Sequence, residues 1–152
     1  MGVRSDVCII IEFDKKYKNI VKHFFTSSIL ELIDDNESFK FLINNFYKTI
    51  NKEKLQFVFF EEAIKASYLQ HEQLFSLIDK FNIENEYKEE QIIKYEHKEI
   101  CQEFIEDSSE STTNKNFHDD NLELYTIISI GGIPEVDEDD DNHKLTDWLK
   151  KN

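Results

Sequence analysis

Glycine and proline are nearly missing from this chain, with three of the first and one of the second among 152 residues. Three glycines cannot build the loops that wrap backbone amides round a phosphate. The one pair, in Ile130-Gly131-Gly132-Ile133, lacks the following helix and lysine that such a cradle needs. Cysteine is as scarce. Cys8 and Cys101 sit in apolar-patterned stretches with no Cys-x-x-Cys spacing, which excludes a disulfide framework and reads as two buried free thiols in a reducing compartment. Long apolar runs are missing too: Val7-Cys8-Ile9-Ile10-Ile11 is too short for a membrane span or a signal-peptide core. A soluble, cytoplasmic protein with no membrane partner is expected. Bases are outnumbered, 18 against 32 acids, for a formal charge of -14, and no basic run offsets this, so direct contact with a nucleic-acid backbone is not expected either.

What is present is aromatic. Hydrophobic residues make up 39% and aromatics 13%, with 13 Phe and 6 Tyr, far more apolar surface than a disordered acidic segment carries. A chain of this length buries roughly two-thirds of its unfolded surface as one domain. The run at 7–11, apolar without alternation, predicts a central strand buried on both faces. Asp14 is placed to cap a helix whose Tyr17, Ile20, Val21, Phe24 and Phe25 face inward, with Lys15, Lys16, Lys18 and Lys22 outside. Ile29-Leu30-Glu31-Leu32-Ile33 adds a turn or two. Ser38 is read as the cap of a helix through Phe39, Leu42, Ile43, Phe46, Tyr47 and Ile50. Leu55-Gln56-Phe57-Val58-Phe59-Phe60 predicts a second strand, 69–81 a helix with Leu74, Phe75, Leu77, Ile78 and Phe81 inward, and 122–130 a third strand. Between them, Ile93, His97, Ile100, Cys101 and Phe104 suggest a charged surface helix within 84–105, with 91–95 as an alternative short strand. The polar stretch 106–121 reads as a flexible insertion. The resulting expectation is a two-layer α+β domain over 1–133, with amphipathic helices on a sheet of three to four strands. An acidic tail over 134–152 would end in a short helix that docks Leu145, Trp148 and Leu149.

Chemistry-bearing patterns are few. Asp137-x-Asp139-x-Asp141 imitates the start of a calcium loop, but Asn142 stands where glycine is needed and Trp148 where the bidentate glutamate belongs. His23, His71, His97, His118 and His143 are far apart in sequence, with no His-Glu-x-x-His and no close pair, so neither a metal nor a cofactor is expected. Tyr95-Glu96-His97 and Phe117-His118-Asp119-Asp120 offer acid–base neighbours of the kind any chain this rich in carboxylates supplies, and no catalytic residue is assigned.

The acidic run offers more. Glu135, Asp137, Glu138, Asp139, Asp140 and Asp141 follow one another without an intervening base, and such a run either solubilises or imitates the phosphates of a nucleic acid before a Lys/Arg channel. Glu61, Glu62, Glu89, Glu90, Glu99, Glu103 and Glu106, read as helical, would extend that surface. The compact polar cluster at Arg4, Ser5 and Asp6 is a further contact point or a local turn.

Three stretches carry a resemblance: the opening Gly2-Val3-Arg4-Ser5-Asp6-Val7, the segment Phe59-Phe60-Glu61-Glu62-Ala63-Ile64-Lys65 with its following helix, and Leu124 to Glu138 with its strand, glycines and acids. Together they resemble small accessory proteins of unknown function encoded by phages and prophages. The resemblance implies phage origin and a part in countering host defence; it carries no catalytic residues. The expected function is therefore that of a non-enzymatic inhibitor of a basic, nucleic-acid-handling host protein, of the CRISPR-effector or restriction-enzyme kind, with Glu135, Asp137 to Asp141, Arg4 and Asp6 at the contact. An immunity protein that neutralises a basic toxin and an enzyme with a dispersed acid and histidine site are the alternatives.

Overall fold

A computed structural model describes residues 5–34, 36–49, 54–64, 71–85, 91–101, 109–113 and 144–150. The apolar run forms the middle of β1 (Ser5–Asp14), which lies at the centre of a five-stranded sheet. On one side β1 pairs antiparallel with β3 (Lys54–Ile64), which in turn carries the short edge strand β2 (Phe46–Lys48). On the other it pairs antiparallel with β4 (Lys94–Cys101), which carries β5 (Ser109–Thr113). The architecture is α+β, as the sequence pattern implies, with the described helices gathered on one face of the sheet.

Alternation along β1 divides its side chains between two apolar clusters. Val7, Ile9, Ile11 and Phe13 join Phe57 and Phe59 of β3 in the main core beneath the helices. Cys8 and Ile10 meet Val58 on the other face, with Phe60 packed against them. Cys8 is a buried free thiol, as its apolar setting predicts, and burial, reinforced by the charge of Glu96, pushes its ionisation far above the ordinary thiol range. This second face also buries polar groups. The Gln56 amide donates to Glu12 Oε2 at 3.3 Å and Thr49 Oγ1 donates to Gln56 Oε1 at 2.8 Å, while Lys54 Nζ stands 3.8 Å from Glu12 Oε1.

Asp14 does cap the next turn, accepting from the Lys16 amide at 3.0 Å. Helix α1 (Lys18–Phe24) then widens into a π turn at Phe25–Ile29 and resumes as α2 (Leu30–Ile33). Inside the widened turn Ser27 Oγ donates to the His23 carbonyl at 2.8 Å, a back-bond that suits a loosened ladder. Phe24, Phe25 and Ile29 are all buried as a result. The cap of α3 (Glu37–Asn44) is Asn36, whose side chain accepts from the Phe39 amide at 3.0 Å, rather than Ser38. Asn36 alone has the extended backbone that a cap requires, which moves the start forward by two residues.

The helix expected to run through Phe46 and Tyr47 ends at Asn44. Asn45 closes it by donating from Nδ2 to the Phe41 carbonyl at 2.7 Å, and Phe46 then pairs with Phe59 as part of β2. Phe46 still reaches the main core, so the helical spacing of apolar residues continues past the end of the helix. The charged helix expected around Ile93 to Phe104 is instead strand β4. Its faces alternate Tyr95, His97 and Glu99 with Glu96 and Lys98, so neither face offers the apolar contrast by which a strand is recognised. Within the expected insertion, Ser109–Thr113 lies in register with β4 as an edge strand. The expected third strand at 122–130 falls outside the described residues.

Helix α4 (His71–Glu84) buries Leu74, Phe75, Ile78 and Phe81, close to the expected inward set. Helix α5 (Leu145–Lys150) docks as the pattern predicts: Leu145 and Leu149 are buried, and the Trp148 ring packs 5.8 Å from Phe13 and 5.4 Å from Phe57. Lys22 Nζ lies over that indole, 5.4 Å from its centre. No described helix is long and apolar enough to cross a membrane.

Candidate functional site

Helix α4 crosses β4 so that two rows of side chains meet like the teeth of a zip. Residues four apart on a helix and two apart on a strand each share a face. His71, Phe75 and Asp79 therefore form one row and Glu99, His97 and Tyr95 the other. At the far end Asn82 takes the place of a neighbouring strand: its Nδ2 donates to the Ile93 carbonyl at 2.8 Å and its Oδ1 accepts from the Ile93 amide at 2.9 Å. Next, the Tyr95 hydroxyl donates to both oxygens of Asp79, at 3.0 and 3.1 Å, and the Tyr95 ring stacks on Phe75 with centres 4.0 Å apart and planes within 5°.

The near end of the zip is polar. The His71 and His97 rings stack with centres 4.4 Å apart, and both face one carboxylate oxygen, Glu99 Oε1, from 3.9 Å and 2.9 Å. Phe75 closes the inner side, with its centre 5.8 Å from His71 and 6.1 Å from His97. The group is well shielded, with side-chain exposures of 14% for His71, 2% for His97 and 13% for Glu99. The hydrogen bond from His97 holds the Glu99 carboxyl below its ordinary range, and the charges of His97 and His71 add to that against the opposing effect of burial. His97 Nδ1 is buried with no hydrogen-bond partner among the described residues. Two imidazoles and a carboxylate in this arrangement can pass a proton among themselves or share a cation.

Sequence spacing did not bring this site into view, since His71 and His97 lie on different elements. Of the triplet Tyr95-Glu96-His97, the outer two residues turn toward α4 while Glu96 turns to the opposite face beside Cys8, so the three do not form one site. The exposed His23 stands apart on α1. Two other placements differ from expectation. Glu61 and Glu62 lie on β3 and Glu99 on β4, so none of the three is helical, and Glu99 serves the buried cluster rather than an outer acidic surface. Burial, with the neighbouring Glu62 charge, raises the Glu61 carboxyl above its ordinary range.

Of the expected contact residues, Asp6 lies half-buried on β1 opposite Ile100. Arg4, Glu135, Asp137, Glu138, Asp139, Asp140 and Asp141 lie outside the described residues, as does the side chain of Cys101.

The Tyr95–Asp79 pair has a measurable signature. Burial first, then the hydrogen bond to Asp79 and its charge, raise the Tyr95 phenol well above the ordinary value near 10. The fold thus prefers the protonated phenol: its contribution is whole below about pH 10 and is lost as pH climbs toward the raised value. Tyr95→Phe should cost about 1–2 kcal/mol at neutral pH and make stability less sensitive to pH above about 10, as read by urea unfolding at the two pH values. A variant matching the parent at both would show that the bond contributes nothing.

No family model, no curated protein and no solved structure matches this chain.

Proposed function

We propose that this protein is a non-enzymatic acidic binding protein of phage or mobile-element origin that inhibits a basic, nucleic-acid-handling host defence protein of the CRISPR-effector or restriction-enzyme kind. The formal charge of -14 carries this reading, because it is strongly segregated. The described elements include an exposed lysine stripe at Lys15, Lys16 and Lys18, so the acid excess resides chiefly in other stretches, above all in the run 135–141. Carboxylates at that density compete for the same Lys/Arg groups that hold phosphates, and the field steers encounter with a basic partner. The resemblance of the opening Gly2-x-Arg4-Ser5-Asp6-Val7 to phage accessory proteins supports the biological setting. A second reading, an acid–base enzyme, draws on the gathering of His71, His97 and Glu99.

Pull-down from a host lysate identifies the partner. Replacing Glu135, Asp137, Glu138, Asp139, Asp140 and Asp141 by their amides should then weaken binding to it by roughly tenfold or more at low salt, with the difference shrinking as salt screens the parent's contacts. Binding should also compete with the partner's own nucleic acid. Equal affinity of parent and variant at low salt would end the mimicry reading.

A further inference from the structure

The polar end of the α4–β4 zip has a composition that its role in packing does not require. A core position between Phe75 and the sheet is ordinarily filled by an apolar side chain, since burying polar groups costs free energy that their mutual bonds only partly return. Here the fold instead spends three adjacent positions on two imidazoles and a carboxylate. One ligand atom from each of His71, His97 and Glu99 lies within 4.8 Å of the others.

We propose that His71, His97 and Glu99 form a three-ligand site for a divalent transition-metal ion, with zinc the best fit. Nitrogen and carboxylate donors bind zinc at about 2.0–2.2 Å, so tetrahedral geometry sets neighbouring donors roughly 3.3 Å apart. The two imidazoles approach Glu99 Oε1 at 2.9 and 3.9 Å, on either side of that spacing, and to converge on one ion the two rings would tilt out of their stacked arrangement, now at 23° between planes. Two histidines with one carboxylate also form a borderline donor set that discriminates against calcium and magnesium, which prefer oxygen ligands alone. Coordination through His97 Nε2 needs that nitrogen unprotonated, so uptake of the ion would release to solvent the proton that Nε2 shares with Glu99. Three protein ligands leave a fourth position for water. The shallow exposure of His71 and Glu99, against the depth of His97, sets the entry on the side away from Phe75. An ion held here bonds one helix residue to two strand residues and so clamps α4 to the sheet.

Apo protein prepared with chelator and then titrated with Zn²⁺, and separately with Co²⁺ as a spectroscopic probe, tests the site. The expected result is one tight equivalent, visible d–d bands of four-coordinate Co²⁺, and a melting temperature raised by about 5–10 °C at a hundredfold excess over Kd. Glu99→Gln, which keeps the shape of the side chain, and His71→Gln, at the more exposed ligand, should each weaken the tight equivalent by about 10- to 100-fold or more. His97 is too deeply buried for its loss to be separable from misfolding, so the two milder variants, with circular dichroism to confirm their fold, carry the test. The acidic run 135–141 is the competing source of metal binding. Its amide-substituted variant should keep the tight equivalent, and Mg²⁺ or Ca²⁺ should not displace it. Weak binding of several ions, unchanged in folded Glu99→Gln and His71→Gln, would overturn the proposal. So would a tight equivalent lost only in the amide-substituted protein.

Discussion

Ile10→Asp should abolish the cooperative unfolding transition at room temperature. Ile10 is 1% exposed at the centre of the central strand, flanked by Val58 on one side and by the buried Glu96 on the other. A carboxylate there would lose its hydration and would stand beside a second buried acid, Glu96. A loss of roughly 4–5 kcal/mol or more is expected, comparable with the whole stability of many domains of this size. Ile10→Val, which keeps the shape and removes one methylene, should cost only about 1 kcal/mol and serves as the control. Urea unfolding followed by circular dichroism distinguishes them. A cooperative Ile10→Asp transition near the parent's midpoint would mean that this position is not in the core.

Phe57→Ala should destabilise the fold by about 3–5 kcal/mol and release α5 as well. Phe57 is fully buried in β3, its ring centre is 6.2 Å from that of Phe13, and it forms one wall of the Trp148 site. Removing the ring leaves a cavity under the terminal helix, whose six residues are too few to hold helical form without tertiary contact. The chain has a single tryptophan, so its fluorescence reports this docking directly. Emission should shift to the red in Phe57→Ala under conditions where circular dichroism still shows a folded sheet. An unshifted spectrum would show that Phe13 and Leu145 suffice to seat the indole.

Much of the fold was legible because apolar contrast marks it. The unbroken 7–11 run, the aromatic strand around Phe57 and the inward face of α4 each announce their period and their burial, and of the set expected inward on α1 Val21, Phe24 and Phe25 are buried while Ile20 is exposed. Helix α5 is marked by Leu145, Trp148 and Leu149 among lysines. Where contrast fails, so does reading. Strand β4 places His97 and Glu99 against a helix and Lys98 on its other face, so hydropathy alone does not separate its sides. Strand β5, Ser-Glu-Ser-Thr-Thr, has no apolar residue and is defined by backbone pairing with β4. The break between α3 and β2 is hidden by a different cause, since Phe46 serves the same core whether the backbone is helical or extended. The candidate site was illegible because it belongs to no local pattern. Its only trace is that two periods, His71-Phe75-Asp79 on the helix and Tyr95-His97-Glu99 on the strand, complement one another in opposite chain directions.

The central position of β1 has a consequence for how the molecule is made. Its partners are residues 54–64 and 94–101, so a ribosome delivers the most apolar strand first and its second neighbour much later. Until then a run of five apolar residues has at least one open edge, the condition under which nascent strands pair with the wrong chain. Pairings so distant in sequence also slow spontaneous refolding. Yield of active protein should therefore respond more to the speed of translation and to holdase chaperones during synthesis than to the stability of the finished fold.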